Sequence, residues 1–179
     1  VSPRTVCSAS AQTICNGGTT NVALNSTVGS TTYSYTAAIF TSPTGGTITG
    51  QANGSANPIA QTLTNTGTSA GVIRYTVIPT AAGCPGSSFT VDVTVNPTAT
   101  VNAVASQTLC SGAPTTAVNF SSPTTGGNIV YNWSNNNTAI GLGASGIGDI
   151  LSFMATNSGL TTISGLITVT PTYTNLGGG

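Results

Sequence analysis

The sequence predicts an all-β protein made of two tandem antiparallel β-sandwich modules, the second lacking its final strand within this chain. Three observations carry this prediction. Apolar and polar residues alternate with period two in short runs, Gly, Pro and Asn turn signals recur, and the chain repeats itself once. No segment shows helical periodicity.

The repeat sets the module size. Val6 to Gly17 (VCSASAQTICNG) matches Val101 to Gly112 (VNAVASQTLCSG), and TTNVALNS from Thr19 matches TTAVNFSS from Thr115. Tyr33-Ser34-Tyr35 then aligns with Tyr131-Asn132-Trp133, TNTG from Thr64 with TNSG from Thr156, and TVIPT from Thr76 with TVTPT from Thr168. Order is kept and the offset drifts little, as loop insertions between fixed strands produce. A unit of roughly 95 residues is the size of an Ig-like sandwich rather than of a short solenoid repeat.

Taken in order, the inward positions of the first module are Val22 and Leu24, then Tyr33 and Tyr35, then Ile59, Gln61 and Leu63. Ile73, Tyr75 and Val77 follow, and Phe89, Val91, Val93 and Val95 close the unit before Asn96-Pro97. In the second module Val118 and Phe120, Tyr131 and Trp133, and Leu151, Phe153 and Ala155 take the corresponding places. The first module is predicted over residues 1–97, with Val1–Val6 as a linker or donor strand, and the second over 98–179. The hairpin Ile73–Val95 is close to symmetric about Gly83, so Tyr75 faces Val91 and Val77 faces Phe89. The same register sets Arg74 opposite Asp92 on the outer side, as a structural cross-strand ion pair.

Composition narrows function by exclusion. Charged residues are 2% of the chain, namely Arg4, Arg74, Asp92 and Asp149, with no His, against roughly 25% in average globular proteins. No imidazole base exists to activate a nucleophile, and no cluster of His, Cys and carboxylates is expected to hold a metal. No enzyme, no cofactor and no metal is therefore predicted. Two arginines cannot neutralise a nucleic-acid backbone, which excludes that partner. No apolar run reaches the roughly 20 residues of a membrane helix, so no membrane insertion is expected. Hydroxyls stand where charges would: 35 Thr and 20 Ser keep outer strand faces wet. Four cysteines suit an oxidising compartment. A secreted, surface-associated protein is therefore the expectation, and with no basic n-region at Val1 any export signal is expected to have been removed already.

QTICNG, QTLCSG, IAQTLTNTGTSAGVIRYTVIPTAAGCPG, FTVDVTVNPTATV and YNWSNNNTAIGLGASGIGDILSFMATNSG resemble the PKD-like (Ig-like) repeats of giant secreted surface proteins. The bacteria carrying them glide and export them by type IX secretion. The resemblance covers most of the chain. It implies a non-catalytic module strung head to tail in an adhesin or surface filament. It also implies a disulfide between Cys15 and Cys84, closing the first module. The second departs from this pattern: Cys110 is present, but Leu176-Gly177-Gly178-Gly179 stand where its partner turn belongs, and nothing matches SSFTVDVTV. Two explanations stand, an excerpt of a longer repeat protein or a strand supplied by a neighbour. Cys7 has no counterpart in the second copy, and the partners of Cys7 and Cys110 stay open.

Two further features compete with plainer readings. Trp133 and Tyr131 suggest a glycan-stacking surface, against a core role on the central strand. Asp149, in GASGIGD, suggests a calcium ligand, against a turn-capping role. The expected function is a structural or adhesive repeat segment of an extracellular bacterial surface filament or adhesin, whose partners are neighbouring copies or further repeats. The alternatives are a fibre subunit polymerising by β-strand donation and a carbohydrate-binding module.

Overall fold

A computed structural model describes residues 7–176. The chain divides into two compact units, Val1–Thr98 together with Asn175–Gly179, and Ala99–Thr174. Both are all-β.

The first unit contains β1 (Cys7–Ser8), β2 (Gln12–Ile14), β3 (Asn25–Ser26), β4 (Thr32–Thr41), β5 (Ile48–Thr49), β6 (Thr64–Asn65), β7 (Gly71–Ala81), β8 (Cys84–Pro85) and β9 (Phe89–Val95). One sheet runs β2-β9-β7-β4, with β8 pairing the far end of β7. The facing layer is built of short ladders: β1 with β3, β5 with β6, and the bridges Thr19 to Thr62 and Val22 to Ile59. Alternation decides which side chains meet between the layers. Ile73, Tyr75, Val77 and Pro79 of β7 are buried, as are Val91, Val93 and Val95 of β9. From the facing layer come Val22, Leu24, Ile48, Ile59 and Leu63, and Tyr33 and Tyr35 of β4 complete the core. Tyr35 and Tyr75 meet edge to face at 5.7 Å, the arrangement the ring quadrupoles favour.

The hairpin register is the one its symmetry dictates, with Tyr75 opposite Val91, Val77 opposite Phe89 and Arg74 opposite Asp92. One pairing departs from the antiparallel expectation. β2 runs parallel to β9, Gln12 to Val93 through Ile14 to Val95. The chain enters and leaves the unit in the same direction along this edge, so β2 covers the edge of β9.

The second unit contains β10 (Gly127–Asn135), a 3-10 turn at Thr138–Ile140, β11 (Ser145–Ile147) and β12 (Ile167–Asn175). The sheet order is β11-β10-β12. The bridges Pro114 to Met154 and Val118 to Ile150 build the facing layer. Its plan repeats the first unit down to single hydrogen bonds. Gln12 Nε2 donates to Asn21 O while its Oε1 accepts from Asn21 N, and Gln107 makes the same pair of bonds with Thr116. Asn57 Oδ1 accepts from Leu24 N, and Asp149 Oδ1 accepts from Phe120 N. Asp149 thus holds a strand backbone, at the place a neutral amide takes in the first unit.

The repeat is out of step at one point. The sequence alignment puts Leu151 in the place of Ile59, whereas the structure puts Ile150 there. Ile150 is buried and bridges Val118, while Leu151 is 79% exposed. Thr20 bonds Gln61 and Thr115 bonds Phe153, so each strand of the second unit carries one extra residue before the next bridge. A one-residue insertion reverses which side chain points inward.

Candidate functional site

The charged site is the Arg74–Asp92 pair. Period two places both on the outer face of adjacent strands, and their side chains are about a third exposed. Arg74 Nε donates to Asp92 Oδ1 and Nη2 to Oδ2, each at 2.7 Å, a bidentate fork. The guanidinium also lies 3.4 Å over the Phe40 ring, which adds a cation–π contact and orders the fork. Hydrogen bonding to Arg74 holds the Asp92 carboxyl below its usual range. Both groups are consumed by each other, and this geometry is structural.

Beneath that face, Tyr75 Oη donates to Gln61 Oε1 at 2.9 Å. Burial pushes the phenol up to about 12. Burial, and then the neighbouring Cys7 thiol, also raises Tyr33.

Both residues of the predicted aromatic platform, Trp133 and Tyr131, are half-buried and have packing neighbours. Trp133 of β10 pairs with Gly146 of β11, and its indole covers that glycine, where any Cβ would collide with the ring. Its Nε1 is buried without a partner. Tyr35 treats Gly54 the same way in the first unit. Tyr131 packs against Phe120 with ring centroids 5.6 Å apart. Trp133 is half-buried, with part of its indole set against Gly146.

The Cys15–Cys84 disulfide is corrected by the topology. Cys15 follows Ile14, which pairs with Val95, itself opposite Gly71 at the start of β7. Cys84 pairs with Ala81 at the other end of the same strand. Ten residues of strand separate those ends, about 33 Å at 3.3 Å per residue, against a limit of roughly 7 Å between bonded Cα atoms. All four cysteines are free; Cys15, Cys84 and Cys110 are exposed, and Cys7 packs against the core. Among the described residues, no three His, Cys, Asp or Glu side chains come together as a metal site. The donor-strand reading of Val1–Val6 lies outside the described residues.

The feature that sequence alignment only outlined is the outer edge of β12. In the first unit β7 has β4 on one side and β9 on the other. Among the described residues β12 pairs with β10 alone. The consequence is visible in burial. Gly71, Ile73, Tyr75 and Val77 are buried, whereas Ile163, Gly165, Ile167 and Val169 are only half-buried. β12 is also shorter at this end, since the stretch matching Gly71–Arg74 is not strand. Phe120 and Ile150 are the buried apolar side chains of this unit, and Leu109, Leu151, Met154 and Leu166 are exposed.

A comparison with curated proteins finds no match to the chain. Residues 12–99, from β2 through β9 to the start of the second unit, match the PKD-like domain family.

Proposed function

We propose that this chain is a structural or adhesive repeat segment of an extracellular bacterial surface filament or large adhesin. The observation that carries the reading is the PKD-like match over a stapleless sandwich whose outer faces are Thr and Ser instead of charge. PKD-like modules are commonly extracellular and non-catalytic. Among the described residues, the Arg74–Asp92 pair is spent in a cross-strand fork, and Tyr75 is buried against Gln61. A neutral hydroxyl-rich face associates with neighbouring copies or further repeats without charge repulsion. Antibodies raised against the chain test the location: labelling of intact, unpermeabilised cells supports the reading, and labelling that requires lysis defeats it. A surface-shaving protease should remove the signal in the same cells.

A further inference from the structure

The structure assigns Asn16 and Asn53 as two latent modification sites, whose deamidation the folded first unit blocks and local strand opening releases. The sequence contains two Asn-Gly pairs, Asn16-Gly17 and Asn53-Gly54, both in the first unit. Asn-Gly is the pair most open to this chemistry, because glycine has no side chain to obstruct its own nitrogen. That nitrogen gives up its proton and attacks Asn Cγ, and the side-chain nitrogen leaves as ammonia. Water then opens the cyclic succinimide at either carbonyl, giving Asp or isoaspartate. The net reaction consumes one water, releases one ammonia and leaves one new negative charge.

The fold needs both members of each pair. Gly54 bridges Tyr35, and a Cβ on it would meet Tyr35 Oη at 2.6 Å. Gly17 has φ +75°, the left-handed region in which other residues are strained. Asn53 Oδ1 accepts from Ala37 N at 2.9 Å, which caps the open side of β4, the outermost strand of its sheet. Asn16 Oδ1 accepts from Asn65 N at 2.7 Å, and its Nδ2 donates to Thr98 Oγ1 at 2.8 Å.

The same bonds prevent ring closure. Gly54 N donates to Tyr35 O at 3.0 Å, and Gly17 N to Leu63 O at 2.9 Å. Each nucleophile is thus committed to another strand, and each carboxamide is held by a backbone N–H. Cyclisation has to break both ties at once, so the reactive species is a locally opened state and the rate follows its population. The second unit is an internal control, with Ser111-Gly112 and Ser145-Gly146 in the corresponding places. Gly112 N donates to Ala155 O at 2.8 Å, and Gly146 faces Trp133 as Gly54 faces Tyr35. The plan is kept and the carboxamide is gone. Fast deamidation is therefore confined to the first unit, where each event adds negative charge to a chain of formal net charge zero. The inference rests on the hydrogen bonds of that unit and does not depend on the cell-surface location proposed above.

The test incubates the full-length chain at mildly alkaline pH, folded and in concentrated urea, and follows each asparagine by peptide mapping with mass spectrometry. In urea, Asn16 and Asn53 should deamidate faster than any other asparagine. Folding should slow both at least about tenfold, since more than one hydrogen bond must open. The slowing at each site should match that of hydrogen exchange at its own glycine amide, Gly17 or Gly54. Thr98→Ala removes one exposed partner of Asn16 and should speed that site roughly twofold to fivefold while leaving Asn53 unchanged. The double variant Asn16→Ser, Asn53→Ser copies the second unit and should keep its charge in urea while the parent chain turns acidic. Equal rates in the folded chain and in urea overturn the proposal, as does modification in urea that is fastest at asparagines of the second unit. Slowing that bears no relation to exchange of the adjoining glycine amide, or a Thr98→Ala chain whose Asn16 reacts no faster, overturns the lock as its cause.

Discussion

The side-chain amide of Asn65 donates to the carbonyl of Val95 at 2.8 Å, tying the TNTG turn to the final strand of the first unit. Asn65 is 3% exposed, so water cannot replace the bond. Asn65→Ala should cost about 2–3 kcal/mol, because the buried Val95 carbonyl and the half-buried Ser69 carbonyl lose their donor. Asn157→Ala should cost about 1 kcal/mol or less, because the Thr161 carbonyl that its Nδ2 holds is exposed and water can replace the bond. Urea unfolding followed by circular dichroism, with Trp133 fluorescence for the second unit, checks this. Equal losses at the two sites would refute the different roles assigned to them.

The Arg74–Asp92 fork should give a coupling energy of about 0.5–1 kcal/mol in a double-mutant cycle with Arg74→Met and Asp92→Asn at neutral pH. Partial solvent exposure keeps it that small. The folded-state pKa of Asp92 lies below its ordinary value of 3.8. The contribution is therefore present above that range and is lost as pH falls through the lower, folded-state value. A coupling that persists at the same size in strong acid would count against the ion pair as its source.

Tyr75 sets an alkaline limit. Its phenol titrates near 12 in the folded unit, against 10.0 ordinarily. A group whose pKa is raised by folding stabilises fully below its unfolded value and loses that contribution as pH climbs. Stability should therefore decline between about pH 10 and 12. Tyr75→Phe should flatten this decline while lowering stability at neutral pH by about 1 kcal/mol or less, because Gln61 Oε1 loses one hydrogen bond but keeps that from Ala52 N. Tyrosinate absorbance and melting temperature across this range provide the check.

Thiol chemistry should follow the topology. Cys15, Cys84 and Cys110 should react with an alkylating reagent in the folded, reduced chain, and Cys7 more slowly because it packs against the core. The double variant Cys15→Ser, Cys84→Ser should retain its stability within about 0.5 kcal/mol. A disulfide closing the first unit would instead be worth on the order of 4 kcal/mol. An intramolecular Cys15–Cys84 peptide in a non-reducing digest would contradict the strand register.

Much of the fold is legible because alternation is a local code. Tyr75 inward and Arg74 outward follow from neighbouring positions, and the turn at Gly83 sets the pairing with Asp92 within one hairpin. The placement of Trp133 is half legible: its strand and face are readable, but the Gly146 that accommodates its indole is thirteen residues away, on another strand. Leu151 shows the limit. One inserted residue keeps the apolar spacing plausible while moving Ile150 to the inside, and only the bridge to Val118 reveals it. Asn65 and Asn157 were visible as a repeated TNTG and TNSG, yet the bonds of Asn65 to Val95 and Asn16, and of Asn157 to Ser111, reach partners 30 residues or more away in the chain.

By itself, the sequence determined the β architecture, the repeat, the inward and outward faces of most strands and the scarcity of chemically active groups. These follow from residue type and period, which act over a few neighbours. Only the tertiary structure decided that β2 runs parallel to β9, that Cys15 and Cys84 sit at opposite ends of one sheet, and that Ile150 rather than Leu151 points inward. These depend on which strand ends meet. That is settled by closing a common core over long loops, and no local pattern encodes it.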